Sequence, residues 1–256
     1  MKSIRSAVVL VFVLVFAGVS FAGSGSEVIK LAKERYSQVE GKVKDVKIVS
    51  VSIMELNGQK MQTNTTLYKK GKKMRMDSTV LMPGAPDGFE SITIVTQDET
   101  WMISPLTGKQ KIDKNQLGAG ASIDDSEWWN KLTDDAELKG EEKIDGVVCY
   151  VLETKKSVSG GLKKMWISKD NITLIKAEGE DEKVGKFVMK SSDFKNVGFN
   201  WYFAQRTVIE SPKAKVTSSV SKVEINKGLS DGLFIASEVD VSKMKAPNVS
   251  GMRFGR

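Results

Sequence analysis

VKIVSVSIMELNGQKMQTNTTLY, residues 46–68, runs in period two on both sides of Asn57-Gly58. Alternation of apolar and polar side chains marks a strand with one face covered. Asn-Gly between two such runs is the strongest short hairpin signal, because both residues accept the left-handed backbone of a type I′ turn. Val46 to Leu56 is therefore expected to be a strand, with Gln59 to Tyr68 its antiparallel partner.

The same period recurs on the C-terminal side. Lys73, Arg75 and Asp77 alternate with Met74, Met76 and Ser78. Further strands are expected at Ser91 to Thr96, Thr100 to Ser104, Lys109 to Asp113, Glu137 to Ile144 and Val147 to Thr154, the last two joined by a turn at Asp145-Gly146. Lys163 to Ile167, Thr173 to Ala177, Lys186 to Ser192, Trp201 to Ile209 and Lys215 to Ile225 continue the series. On the N-terminal side, Ser26 is placed to cap a helix whose Val28, Ile29, Leu31, Ala32, Tyr36 and Val39 fall near one stripe at three-to-four spacing. Gly118 to Leu132 interrupts the strands and predicts a short helix carrying Trp128 and Trp129 behind Asp124 and Asp125. So many sequential strands need one large curved sheet whose inward face meets something apolar. The expected fold is mainly β (α+β), an incomplete antiparallel β-barrel of about 11–12 strands with a helical lid covering the concave face.

The first residues read as a secretory signal peptide: Lys2 and Arg5, then an apolar run from Ala7 to Val19, then the small pair Ser20 and Ala22. That run is shorter than the ~20 residues that span a bilayer, so cleavage after Ala22 is expected in preference to a retained anchor. Residues 1–22 are then the signal peptide, 23–241 one domain and 242–256 a short basic C-terminal tail. The formal charge of +7 becomes 7 − 2 = +5 once Lys2 and Arg5 are removed, and Lys is interleaved with Asp and Glu. This patterning argues against a nucleic-acid partner. The single Cys149 sits among Val147, Val148, Tyr150 and Val151, which points to core packing and not to redox work.

The chain has no histidine, the side chain most used for acid–base catalysis near neutral pH and the commonest zinc ligand. No nucleophile elbow or phosphate-binding loop occurs, and the pairs Asp124-Asp125, Asp134-Asp135 and Glu141-Glu142 read as solvated turn charges. The expectation is a protein that binds or carries, not an enzyme, with no cofactor and no metal. Met54, Met61, Met74, Met76, Met82, Met102, Met165 and Met189 lie in or beside strands. Methionine at alternating positions packs cores, and it also lines adaptable apolar sites. Leu81 to Phe89, with Met82, Pro83, Gly84, Pro86 and Gly88, reads as a loop suited to closing over an opening.

Three stretches, in this order, resemble the LolA-type carriers of bacterial outer-membrane lipoproteins, a family sharing the LolA/LolB/RseB-type fold. Thr66 to Met76 resembles the family's aromatic-Lys-Arg-Pro turn leading into an alternating strand, with Lys70 at the Arg position and Gly71 in place of the Pro. Gln97 to Pro105 resembles its turn, aromatic strand and proline, and Ile225 to Phe234 its closing "D-x-x-F" region. The resemblance implies a half-barrel with a helical lid, an apolar cavity for acyl chains, and shuttling across the periplasm. The expected cavity side chains are Met54, Met74, Met76, Ile92, Ile94, Trp101, Ile103, Met165, Met189, Trp201 and Phe203, with Met82, Phe89, Trp128, Trp129 and Lys70 at the lid. The implied partners are an acylated lipoprotein or a phospholipid, an inner-membrane transporter and an outer-membrane acceptor, met by a monomeric carrier. A sensor that binds envelope lipid or lipoprotein and regulates a membrane partner is the alternative.

Overall fold

The computed structural model describes residues 24–82, 85–113, 136–158, 161–181 and 185–246. Among these residues one α-helix, α1 (Gly25–Glu40), precedes thirteen strands. The first six are β1 (Asp45–Leu56), β2 (Gln59–Lys70), β3 (Lys73–Met82), β4 (Ala85–Val95), β5 (Thr100–Ser104) and β6 (Gly108–Lys111). They are followed by β7 (Glu137–Ile144), β8 (Val147–Val158), β9 (Leu162–Ser168), β10 (Leu174–Asp181), β11 (Gly185–Asn196), β12 (Tyr202–Glu210) and β13 (Ala214–Ile225). Three 3-10 turns, Asp231–Phe234, Ala236–Glu238 and Val241–Lys243, close the described chain. Each strand range expected from the sequence has its counterpart among β1–β13, the segment Lys109 to Asp113 as the short edge strand β6, and the total is thirteen where about 11–12 were expected.

All thirteen strands form one antiparallel sheet in the order β6-β5-β4-β3-β2-β1-β13-β12-β11-β10-β9-β8-β7. The first and last strands pair at its centre, and β6 and β7 are edges that do not pair with each other. The result is an open half-barrel. Lys109 and Lys111 on β6, and Glu141, Glu142 and Lys143 on β7, charge those edges against pairing with another chain. The hairpin turns behave as their residues dictate: Asn57 and Gly58 have φ of 50° and 78°, Asp145 and Gly146 of 47° and 91°.

Opposed residues of an antiparallel ladder send their side chains to the same face, so register assigns every residue a side. On one face Leu152, Met165, Ile167 and Ala177 of β8–β10 pack against Val28, Ile29, Ala32 and Tyr36 of α1. This is the helix face. An isolated 16-residue helix is marginal in water, whereas each fully buried Val or Ile contributes about 1.5–3 kcal/mol, so α1 is held by this contact. Its cap is Ser24, not Ser26: the Ser24 N–H donates to Glu27 Oε2 at 3.2 Å. Leu31, assigned to the apolar stripe by spacing, is exposed. Tyr36 anchors the far end, its hydroxyl donating to the Ile172 carbonyl at 3.1 Å.

On the opposite face Ile92, Ile94 and Ile103 pack under Phe234 and Val239 of the 3-10 turns. The C-terminal segment is thus a strap across the outside of β3–β5, and Val241 and Met244, at the boundary assigned to the basic tail, pack into the same cluster. Farther along this tail face, Cys149, Val151, Trp166 and Ile175 make a third buried cluster. Cys149 is fully buried and its thiol is pushed up to about 11, chiefly by desolvation. It stays protonated at neutral pH and is a core side chain. Asp45 closes the junction of β13 with β1, accepting from the Lys227 N–H at 2.8 Å and the Gly228 N–H at 3.0 Å.

Candidate functional site

The helix face carries an apolar row that crosses eight strands without a break. Leu152 is opposed to Met165, Met165 to Ala177, Ala177 to Met189 and Met189 to Ile209. Ile209 is opposed to Val216, Val216 to Met54 and Met54 to Met61. Leu152, Met165 and Ala177 are fully buried under α1. Met189, Ile209, Val216, Met54 and Met61 are half-buried. Four interstrand spacings of ~4.8 Å make this half-buried stretch ~19 Å long.

Hydroxyls flank the row on the same face. Ser191, Thr207, Ser218, Ser52 and Thr63 are opposed in succession across β11, β12, β13, β1 and β2. Ser52 Oγ and Ser218 Oγ lie 2.7 Å apart. A second line, Ser50, Thr65, Ser78 and Ser91, follows across β1–β4. Beyond it Val223, Ile48, Leu67 and Met76 restore an apolar strip, with Met74 in the next register position of β3. The face is therefore two apolar strips separated by a double line of hydroxyls.

Among the expected cavity residues, Met54, Met165 and Met189 belong to the first row, and Met74 and Met76 to the second strip. Trp201 packs at the margin of the α1 core and meets Phe203 edge-on, ring centroids 5.5 Å apart. Ile92, Ile94, Trp101 and Ile103 do not join them. They occupy the tail face beneath the strap, because both faces of β4 carry buried side chains, Ile92 and Ile94 on one and Thr93 on the other, and period two alone does not say which face lies toward the helix. Met61, Ile209 and Val216 were missed; their strands were legible, but their alignment exists only through register.

Of the segment Leu81 to Phe89 expected as a loop, Leu81 and Met82 end β3, and Ala85 to Phe89 begin β4, with Val80 opposed to Phe89. Trp128 and Trp129 lie outside the described residues. Lys70 is engaged by the strap: its Nζ donates to the Leu229 carbonyl and to Asp231, each at 2.9 Å, and Lys73 donates to the other Asp231 oxygen at 2.9 Å. These two cations draw the Asp231 carboxyl down to about 2. Arg75 adds a bond to the Leu233 carbonyl at 3.2 Å.

Among the described residues, cavities lie off the row. One of about 490 Å³ sits beside the strap between Trp101 and Phe234. Another, about 350 Å³, lies between the end of α1 and the β11–β12 turn. Among the described residues, α1 covers the β8–β10 part of the row, and the trough formed by its Met189–Met61 part lies beyond that contact.

With this geometry in place, the chain compares with known proteins as follows. No curated protein matches it. A family model described as "Uncharacterized protein" matches residues 87–239, more than half of the chain. Among solved structures, a DUF1329 family protein from Desulfovibrio piger superposes with TM-score 0.61 at 19% identity, covering 84% of this chain and 98% of that one. A domain described as an outer membrane lipoprotein-sorting protein, from Vibrio parahaemolyticus, gives 0.56 at 16% identity, with 82% and 96% covered. A LolA superfamily protein from Nitrosomonas europaea gives 0.52 at 14% identity, with 85% and 100% covered. The chain belongs to the family described as "Uncharacterized protein", and its half-barrel is the fold of the LolA superfamily.

Proposed function

We propose that this protein is an exported carrier that holds an acyl chain of a lipoprotein or lipid along the helix face and moves it toward the outer membrane. The observation that carries the reading is the half-buried stretch of the apolar row, Met189 to Met61, ~19 Å long and with no described helix packed on it. One leaflet of hydrocarbon is about 15 Å deep, half of a ~30 Å core, so the row offers one acyl chain its full length. Each methylene moved out of water contributes about 0.8 kcal/mol, which makes such a track sufficient to bind a chain without a closed pocket. Five thioether or branched side chains adapt to chains of different length. The hydroxyls alongside give the ester or amide linkage at the head of the chain hydrogen-bond donors, which orients it.

The signal peptide read at residues 1–22 and the description of the Vibrio protein as a sorting domain support this reading. An inner-membrane transporter and an outer-membrane acceptor complete the proposed route. The test is native mass spectrometry of the exported protein with extraction of any bound lipid, beside titration with a fluorescent fatty acid. Co-purified phospholipid or acylated protein, or saturable uptake of the probe, is the expected result. An apo mass together with no uptake sinks the proposal.

A further inference from the structure

The turn between β11 and β12 holds an aromatic side chain outward at a conformational cost. Phe199 has φ of 54° and Asn200 of 60°, and Phe199 is 49% exposed. A bulky non-glycine residue in the left-handed region is an outlier, and two in succession persist only when their surroundings over-determine them. Those surroundings are visible. Gly198 donates its N–H to Asn196 Oδ1 at 3.0 Å, Trp201 donates its N–H to the Gly198 carbonyl at 2.8 Å, and Arg35 of α1 donates to the Asn200 carbonyl at 3.1 Å.

Beneath the exposed ring lies the cavity of about 350 Å³, lined by Arg35, Gln38, Lys42, Asn196 and Asn200 beside Gly198 and Phe199. Two cations and three amides face it and no carboxylate does. An aromatic ring at the tip with cations one layer behind is the arrangement that seats a protein at a membrane interface: the ring enters the acyl boundary while the cations meet anionic head groups. We infer that the β11–β12 turn, with the end of α1, is a docking surface for an anionic lipid bilayer, taking a lipid phosphate between Arg35 and Lys42. Trp201, the residue after the turn, packs at the margin of the α1 core on the helix face. Ile209 of the apolar row lies eight residues farther along β12, ~26 Å away, so the docking turn and the row sit at opposite ends of that strand.

The test is co-sedimentation of the exported protein with phosphatidylcholine vesicles, with and without phosphatidylglycerol, at low and high salt. Binding is expected only with the anionic lipid and is expected to weaken with salt. Phe199→Asn retains the turn, because asparagine tolerates the left-handed region, and is expected to lose binding about tenfold, whereas Phe199→Trp restores it. Lys42→Gln is expected to cost about fivefold, the effect of one cation near an anionic surface. Equal binding by the Phe199→Asn and Lys42→Gln variants, equal binding to both vesicle types, or no vesicle binding overturns the inference. Fatty-acid uptake by Phe199→Asn is expected to be normal, so cargo binding and docking fail independently.

Discussion

The helix-face track is tested most directly by two neighbouring substitutions on one strand. Ile209 and Val208 are consecutive in β12 and both half-buried. Ile209 opposes Met189 and Val216 in the apolar row, while Val208 opposes Lys190 and Thr217 on the other face. Full burial of an isoleucine is worth about 1.5–3 kcal/mol. Since the fold leaves about a third of that side chain exposed at most, a bound acyl chain gains roughly 0.5–1 kcal/mol from the remainder. Ile209→Ser is therefore expected to weaken a fluorescent fatty acid about two- to fivefold. Val208→Ser is expected to leave the affinity within twofold of the parent. Both substitutions remove comparable native packing, about 1 kcal/mol, and shift the melting temperature by about 2–4 °C in a domain of this size. The pair thus separates face from stability. Fluorescence titration of folded variants, checked by circular dichroism, is the assay. Equal losses in the two variants, or an Ile209→Ser protein that binds as the parent does, refute the reasoning.

Three further outcomes follow from the outer face. The Asp231 carboxyl is drawn from its ordinary 3.8 to about 2 by Lys73 and Lys70. A depressed carboxylate contributes its stability above 3.8 and loses it as pH falls toward 2, so the protection of amides in residues 229–245, taken relative to their intrinsic exchange rates, is expected to fall in that window. The Asp231→Asn variant is expected to be poorly protected at neutral pH as well, and pH-independent protection in the parent contradicts the strap assignment. Phe234→Ala empties the centre of the cluster over Ile92, Ile94 and Ile103 and is expected to cost about 3–5 kcal/mol in denaturant unfolding. Cys149, raised to about 11 by burial, is expected to ignore a thiol reagent at pH 8 in the native protein and to react fully in denaturant; fast native labelling would place it outside the core.

Much of the architecture was legible locally. Asn57-Gly58 and Asp145-Gly146 fold as the turns their backbone preferences demand, and the apolar positions of α1 other than Leu31 bury as their spacing requires. Period two located the strands because it reports the environment of one segment at a time. It could not say which face of β4 meets a strap and which face of β1 lines a trough, since both faces of this sheet are partly covered. Ile92 and Ile94 alternate as regularly as Met74 and Met76 and lie on the other side. Lys70, placed by its turn, found its partner in Asp231 at the far end of the chain.

Determined by the sequence alone were the alternation, the turns, the helix and the lack of histidine chemistry, each a property of adjacent residues. Only the tertiary structure decided that Met54 meets Val216 and that Met189 meets Ile209. A continuous apolar row depends on the register of strands brought together across most of the chain, and a slip of one residue in any pairing would turn that strand's contribution to the opposite face.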